Sequence, residues 1–200
     1  MPQEALEIAL DGMIAVQDQI FFEKQKIPTR ENIRNFIVSS MIKYLPEPPF
    51  IDVACGYRTS EPEVSGALEK IEKYVAFDLV DLSDQIEDIS AIQNLLADVS
   101  NIPLEANSVN TAICVEALEH ISDDRRALEE IRRILQKDGL LFLTVPGIDV
   151  PKHEKSYQKD YGRYSSDGLT SLLKQSNFKV IELEKKFFGA KHINTLVVAR

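Results

Sequence analysis

Apolar residues recur along this 200-residue chain at two different spacings, and the change between them divides it. From Glu4 to Lys24, the residues Leu6, Leu10, Met13, Ile14 and Ile20 follow helical spacing. From Glu31 to Leu45, Ile33, Phe36, Ile37, Met41 and Leu45 do the same, so two amphipathic helices are predicted. A proline cluster, Pro46, Pro48 and Pro49, closes that region. Beyond it, short apolar runs alternate with helical or loop segments, the pattern of a parallel sheet covered on both faces. Strands are predicted near Phe50–Val53, Tyr74–Phe77, Leu95–Ala97, Thr111–Val115, Leu140–Val145, Lys179–Glu182 and Leu196–Ala199.

Helices are expected from Ser60, from Asp123 to Lys137 and from Ser166 to Gln175. In the second of these, Asp123 or Asp124 is placed to cap the start, and Ala127, Leu128, Ile131, Ile134 and Leu135 make one apolar stripe. Arg132, Arg133 and Lys137 oppose the negative end of the helix dipole, and Gly139 is expected to supply a left-handed turn before Leu140.

The length and an apolar content of 44% suit one domain, residues 1–200, with residues 1–46 as a helical extension and residues 50–200 as the α/β core. No apolar run approaches the ~20 residues that span a bilayer, and Met1–Asp11 lacks a basic signal-peptide start, so a cytoplasmic protein with no membrane partner is expected. Cys55 and Cys114 lack zinc or redox spacing and are read as reduced, partly buried thiols. No histidine set has metal-ligand spacing, so no metal site is expected. Thirty-two acidic against 23 basic residues give a formal net charge of -9, the wrong sign for binding nucleic acid through its phosphates. Oligomeric state is not legible at this level.

The candidate chemistry sits at strand ends. Phe50-Ile51-Asp52-Val53-Ala54-Cys55-Gly56-Tyr57 reads as a buried strand running into a tight turn of small residues, and in an open α/β sheet ligands bind beyond such ends. Asp78 ends the next strand about 20 residues on, where a carboxylate can accept both hydroxyls of a ribose. Asp98 follows the third strand, ahead of Ile102-Pro103-Leu104, where it and nearby backbone amides can hold a purine edge. Glu116 and His120 follow the fourth.

These residues resemble the class I S-adenosylmethionine-dependent methyltransferases, in particular the group related to ubiquinone-biosynthesis methyltransferases. The resemblance covers Phe50 to Arg200. It is carried by Ala97-Asp98-Val99 with Ile102-Pro103-Leu104, then Ala117-Leu118-Glu119-His120-Ile121, Ile131-Arg132-Arg133-Ile134-Leu135, Asp138-Gly139 and Leu143-Thr144-Val145-Pro146. It implies a Rossmann-like, three-layer αβα fold with seven strands in the order 3-2-1-4-5-7-6, the last antiparallel, and S-adenosylmethionine as cofactor. It further implies that Asp52, Ala54, Cys55, Gly56, Tyr57 and Arg58 line the methionine loop. Asp78 and Leu79 would meet the ribose, Asp98 and Val99 the adenine, and Glu116 the methionine end. Two positions depart from the family's D-x-G-x-G-x-G loop: Ala54 stands for the first glycine and Arg58 for the third. Arg58 is a candidate partner for the cofactor carboxylate.

For an acceptor that must lose a proton, His120 is the first candidate base, with His153 and His192 behind it. The alternative is that His120 packs and hydrogen-bonds at a helix start. The cluster His153, Tyr157, Asp160, Tyr161, Arg163 and Tyr164 reads either as part of an acceptor pocket or as a loop anchored by tyrosines with Arg163 paired to a carboxylate. A segment like Asp160-Tyr161-Gly162-Arg163-Tyr164 in the family hints at glycan-type acceptors. Phe22, with Ile20 and Phe21, is a candidate lid residue over the acceptor or plain core. The functional expectation is methyl transfer to a small-molecule or glycan-type acceptor. Its rivals are a catalytically inactive family member serving as a binding or regulatory partner and, third, a nucleotide-dependent oxidoreductase, for which the G-x-G-x-x-G run is missing.

Overall fold

The protein is described here by a computed structural model covering residues 29–54, 74–78, 92–152 and 159–200. Seven strands form one sheet: β1 Phe50–Val53, β2 Tyr74–Asp78, β3 Ile92–Leu96, β4 Val109–Val115, β5 Leu135–Pro146, β6 Val180–Phe188 and β7 Lys191–Ala199. They lie in the order β3-β2-β1-β4-β5-β7-β6. The first five are parallel neighbours, with Val53 beside Phe77, Asp78 beside Leu96 and Asp52 beside Ile113. β7 runs antiparallel to β5 and β6, so its first residues lie at the carboxyl ends of the parallel strands, Asn194 opposite Pro146. This is a Rossmann-like α/β fold.

Both sheet faces are covered, which is why β5 is buried at every position from Leu140 to Pro146. Along β4 and β5 the pleat sends alternate residues to opposite sides. Ile113, Leu140 and Phe142 meet Ile33, Phe36, Ile37 and Met41 of α1, Thr29–Tyr44. Ala112, Cys114, Leu141 and Leu143 meet Ala127, Leu128 and Ile131 of α2, Asp124–Ile134, and Leu169 and Leu173 of α3, Ser166–Gln175. The second expected N-terminal helix is therefore a layer of the core. The first, Glu4–Lys24, lies outside the described residues, as does the helix expected from Ser60.

Four local expectations are corrected. The helix of α2 stops at Ile134 instead of Lys137, because Leu135 is already extended and pairs with Val109 of β4. Gly139 therefore ends no helix and makes no left-handed turn. It lies inside β5, where a Cβ would stand 2.8 Å from the carbonyl oxygen of Asn110, so a glycine is needed for close approach to β4. Cys114 is wholly buried instead of partly so. The last two strands also run well beyond the predicted spans and meet in a two-residue hairpin, Gly189-Ala190, with Gly189 at a φ of 61°.

Candidate active site

The parallel strands β1 to β4 bring their carboxyl ends, and the acids that follow them, to one rim of the sheet. Asp52 is 2% exposed at the penultimate position of β1. Ala54, directly after that strand, takes a left-handed φ of 58°, and Glu116, directly after β4, takes 45°. Such a backbone costs an L-residue about 1–2 kcal/mol, and strain of this kind concentrates at functional sites. At Ala54 it falls where the family loop carries glycine. Cys55, Gly56, Tyr57, Arg58 and Leu79 lie outside the described residues, so the departure at Arg58 has no structural account here.

Glu116 is fixed by its surroundings. Its amide donates to the carbonyl oxygen and the hydroxyl of Thr144, and its carboxylate accepts from the buried Asn194 amide at 3.2 Å. Cys114, two residues earlier, registers the charge gathered at this end. Burial pushes its thiol well above the ordinary range, and the carboxylates of Glu119, Asp52 and Glu116 push the same way. Three carboxylates, those of Glu119, Asp52 and Glu116, are thus gathered around Cys114 at this end of the sheet.

At the end of β3, Asp98 caps the short turn Val99–Asn101. Its Oδ1 accepts from the Ser100 amide at 2.8 Å and hydroxyl at 2.7 Å, bonds that hold its carboxyl below the usual range. Val99 is buried beneath it. The following stretch is fastened by α2. Arg133 donates to the carbonyls of Ile102 and Leu104, both at 2.8 Å, while Glu130, 3% exposed, accepts from the Ile102 amide and from Arg133 and Arg126. Arg126 also reaches the Ser100 carbonyl. Sequence reading assigned Arg133 to the helix dipole and passed over Glu130. The signal available was an acid three residues before an arginine on a helix otherwise facing the core, which suits an ion pair but names no loop.

His120 sits in a short 3₁₀ turn, Leu118–His120, with both ring nitrogens turned toward carboxylates: Nδ1 is 2.9 Å from Asp160 and Nε2 3.8 Å from Glu119. Asp160 also takes a bond from Arg163 at 2.6 Å. The remaining reach of Arg163 goes to the carbonyls of Val150, Pro151 and Gly162. Tyr164 donates toward Leu118 and Asp124, and the amides of Tyr161 and Gly162 bond the Glu119 carbonyl. Asp160, Arg163 and Tyr164 therefore close a loop against the end of β4, while Tyr161 stays 46% exposed. His153, Tyr157 and Phe22 lie outside the described residues. His192 is spent differently, its Nε2 lying 3.0 Å from the Asn194 carbonyl and 2.9 Å from the Thr195 hydroxyl. Among the described residues no group of three His, Cys, Asp or Glu side chains could hold a metal ion.

The family model described as a methyltransferase domain matches residues 51–143, from β1 into β5, and so takes in all four acid-bearing strand ends. This match supports a class I S-adenosylmethionine-dependent methyltransferase. A demethylmenaquinone methyltransferase of Chlamydia pneumoniae is 29% identical over 58% of this chain and 65% of its own length. A probable S-adenosylmethionine-dependent methyltransferase of Mycobacterium tuberculosis is 26% identical over 50% of this chain and 38% of its own. The chain thus spans only part of the length of these relatives. Among solved structures, the 1,6-didemethyltoxoflavin-N1-methyltransferase of Burkholderia thailandensis, with S-adenosylhomocysteine bound, aligns with a TM-score of 0.63 at 19% identity, covering 100% of this chain and 90% of that one, and so shares the fold.

Proposed function

We propose that this chain binds S-adenosylmethionine on the β3-β2-β1-β4 half of the rim and transfers its methyl group to a small-molecule or glycan-type acceptor held over the other half. The observation that carries the reading is the placement of Asp98, Asp78, Asp52 and Glu116 at the ends of four adjacent parallel strands. The donor set suits the cofactor, because the carboxylates of Asp52 and Glu116 are of the sign that attracts a sulfonium and an ammonium. The seven-strand order with β7 antiparallel supports the same reading.

Asp78, last in β2, is assigned the ribose hydroxyls. Asp98, Val99 and the stretch held by Arg133 are assigned the adenine, and Ala54 to Arg58 the methionine part. When bound, the cofactor supplies an electrophilic methyl carbon: an acceptor lone pair forms the new bond while the C–S bond breaks and its electrons remain on sulfur, giving S-adenosylhomocysteine. The chain's contribution is to align the acceptor and exclude water. His120, lying between two carboxylates, is assigned to holding the Asp160–Tyr164 loop against β4, with Arg163 as the clamp of that loop.

Calorimetric titration with S-adenosylmethionine and S-adenosylhomocysteine tests the reading without an acceptor. Micromolar binding, weakened at least about tenfold by Asp78→Ala through loss of charge-assisted hydrogen bonds, is expected. Absence of binding to the unaltered protein would leave the inactive-relative reading in its place.

A further inference from the structure

The β5-β7-β6 half of the rim differs in character from the acid half. Large apolar side chains stand exposed along it in spatial order: Ile148 just after β5 at 54%, and Phe187 and Phe188 at the hairpin end of β6 at 55% and 45%. Tyr161 joins them from the loop beside the end of β4. Phe187 leans on His192, ring centroids 5.4 Å apart, which fixes one aromatic of the pair on the hairpin.

Lysines lie next to these side chains in sequence or beside Tyr161. From Lys185 to Lys191 the hairpin carries Lys185, Lys186 and Lys191 and no acid. Across the rim, Lys152 reaches the Tyr161 carbonyl at 2.8 Å, and the Lys159 ammonium lies 5.0 Å from the Tyr161 ring. Among the described residues, Asp149 bonds the His192 amide, Glu184 pairs with Lys186, and Asp160 pairs with His120 and Arg163. A basic, aromatic surface on a chain of formal net charge -9 is a local exception. At physiological ionic strength, charges farther than about 8 Å are largely screened, so these lysines govern what approaches the hairpin.

We infer that the Phe187–Phe188 hairpin tip and its lysines dock this half of the rim on an anionic lipid surface, presenting the acceptor side of the site to molecules held in that surface. Exposed aromatics flanked by cations are what an interfacial lipid site selects, the rings entering the headgroup boundary while the ammonium groups meet anionic headgroups. None of the described helices is long and apolar enough to cross a bilayer, and docking of this kind needs none. The acceptor then belongs to the amphiphiles, a polar group to be methylated carried on a lipid tail. That last step rests on the methyltransferase reading, whereas the docking does not.

The test is co-sedimentation of the purified chain with vesicles of phosphatidylglycerol and phosphatidylcholine in equal parts, and with vesicles of phosphatidylcholine alone. Binding to the anionic vesicles only, lost at high salt, is expected. Lys185→Glu/Lys191→Glu should weaken it at least about 20-fold, at roughly fivefold for each lysine removed, and Phe187→Ser/Phe188→Ser about tenfold. S-adenosylhomocysteine affinity, measured on the same preparations, should stay unchanged, which separates docking from the cofactor site: loss of cofactor binding with docking intact would overturn the function, not the inference. No binding to anionic vesicles, or equal binding by all three proteins, overturns the inference. A dimer that the phenylalanine variant converts to monomer, without vesicle binding, would assign the surface to a second copy of the chain.

Discussion

On the β3-β2-β1-β4 side of the rim, each acid lies within two residues of the end of the strand that delivers it. The β5-β7-β6 side is assembled from three stretches, residues 147–152, 159–164 and 185–192, far apart in sequence. The first side is built from strand ends and the second from loops and a hairpin packed against one another. The difference teaches where local sequence pattern carries functional information in this fold. A strand end is a local event, since an apolar run stops and an acid follows, whereas a surface composed of Ile148, Tyr161 and Phe188 exists only once β7 has returned antiparallel beside β5.

The largest expected effect bears on what holds the second side together. Gly147 leaves β5 directly under β7, and a Cβ there would stand 2.2 Å from the His192 carbonyl oxygen, a backbone atom with no flexible end to swing away. Gly147→Ala should therefore lower unfolding stability by about 3 kcal/mol in denaturant titration. A change under about 0.5 kcal/mol would mean that the loop after β5 is not anchored on β7.

On the first side, Arg133→Met should cost about 2 kcal/mol, because it strips two carbonyls of their donor and leaves the buried Glu130 without its nearest cation. It should also raise the dissociation constant for S-adenosylhomocysteine while leaving vesicle binding alone. The same pair predicts a pH dependence. Arg133 holds the Glu130 carboxyl below its ordinary value of 4.5, so its folded-state value is depressed and the stabilisation is complete above that pH, disappearing as pH falls through the folded-state value. Between about pH 5 and pH 3, Glu130→Gln should accordingly lose less stability than the unaltered protein. The smallest effect is a gain: Ala54→Gly should relieve the left-handed strain at the end of β1, offset by the extra chain entropy of glycine, for a net of about 0.5–1 kcal/mol in thermal unfolding.

The α/β class and the strands β1 and β4 could be read from the chain because their apolar runs are buried on both faces and end in informative residues. The helix of α2 was legible in its stripe and its Asp123 cap, but not in its end, since Leu135 satisfies the helical stripe and the strand equally and only pairing with Val109 decides. β6 was read only at its start, Lys179–Glu182, and its continuation to Phe188 was missed for a different reason. Its Glu182, Glu184, Lys185 and Lys186 break any apolar run, as an edge strand half open to solvent allows. The roles of Glu130, Arg133 and Asn194 were hidden because each acts through a partner distant in sequence, the 102–104 stretch for the first two and Glu116 for the last.

The division of the rim is tested most directly by titrating S-adenosylhomocysteine into two variants side by side, Asp78→Ala on the first half and Phe188→Ser on the second. The account predicts that affinity falls at least about tenfold for Asp78→Ala and matches the unaltered protein for Phe188→Ser. Equal losses in both, or a loss confined to Phe188→Ser, would contradict it.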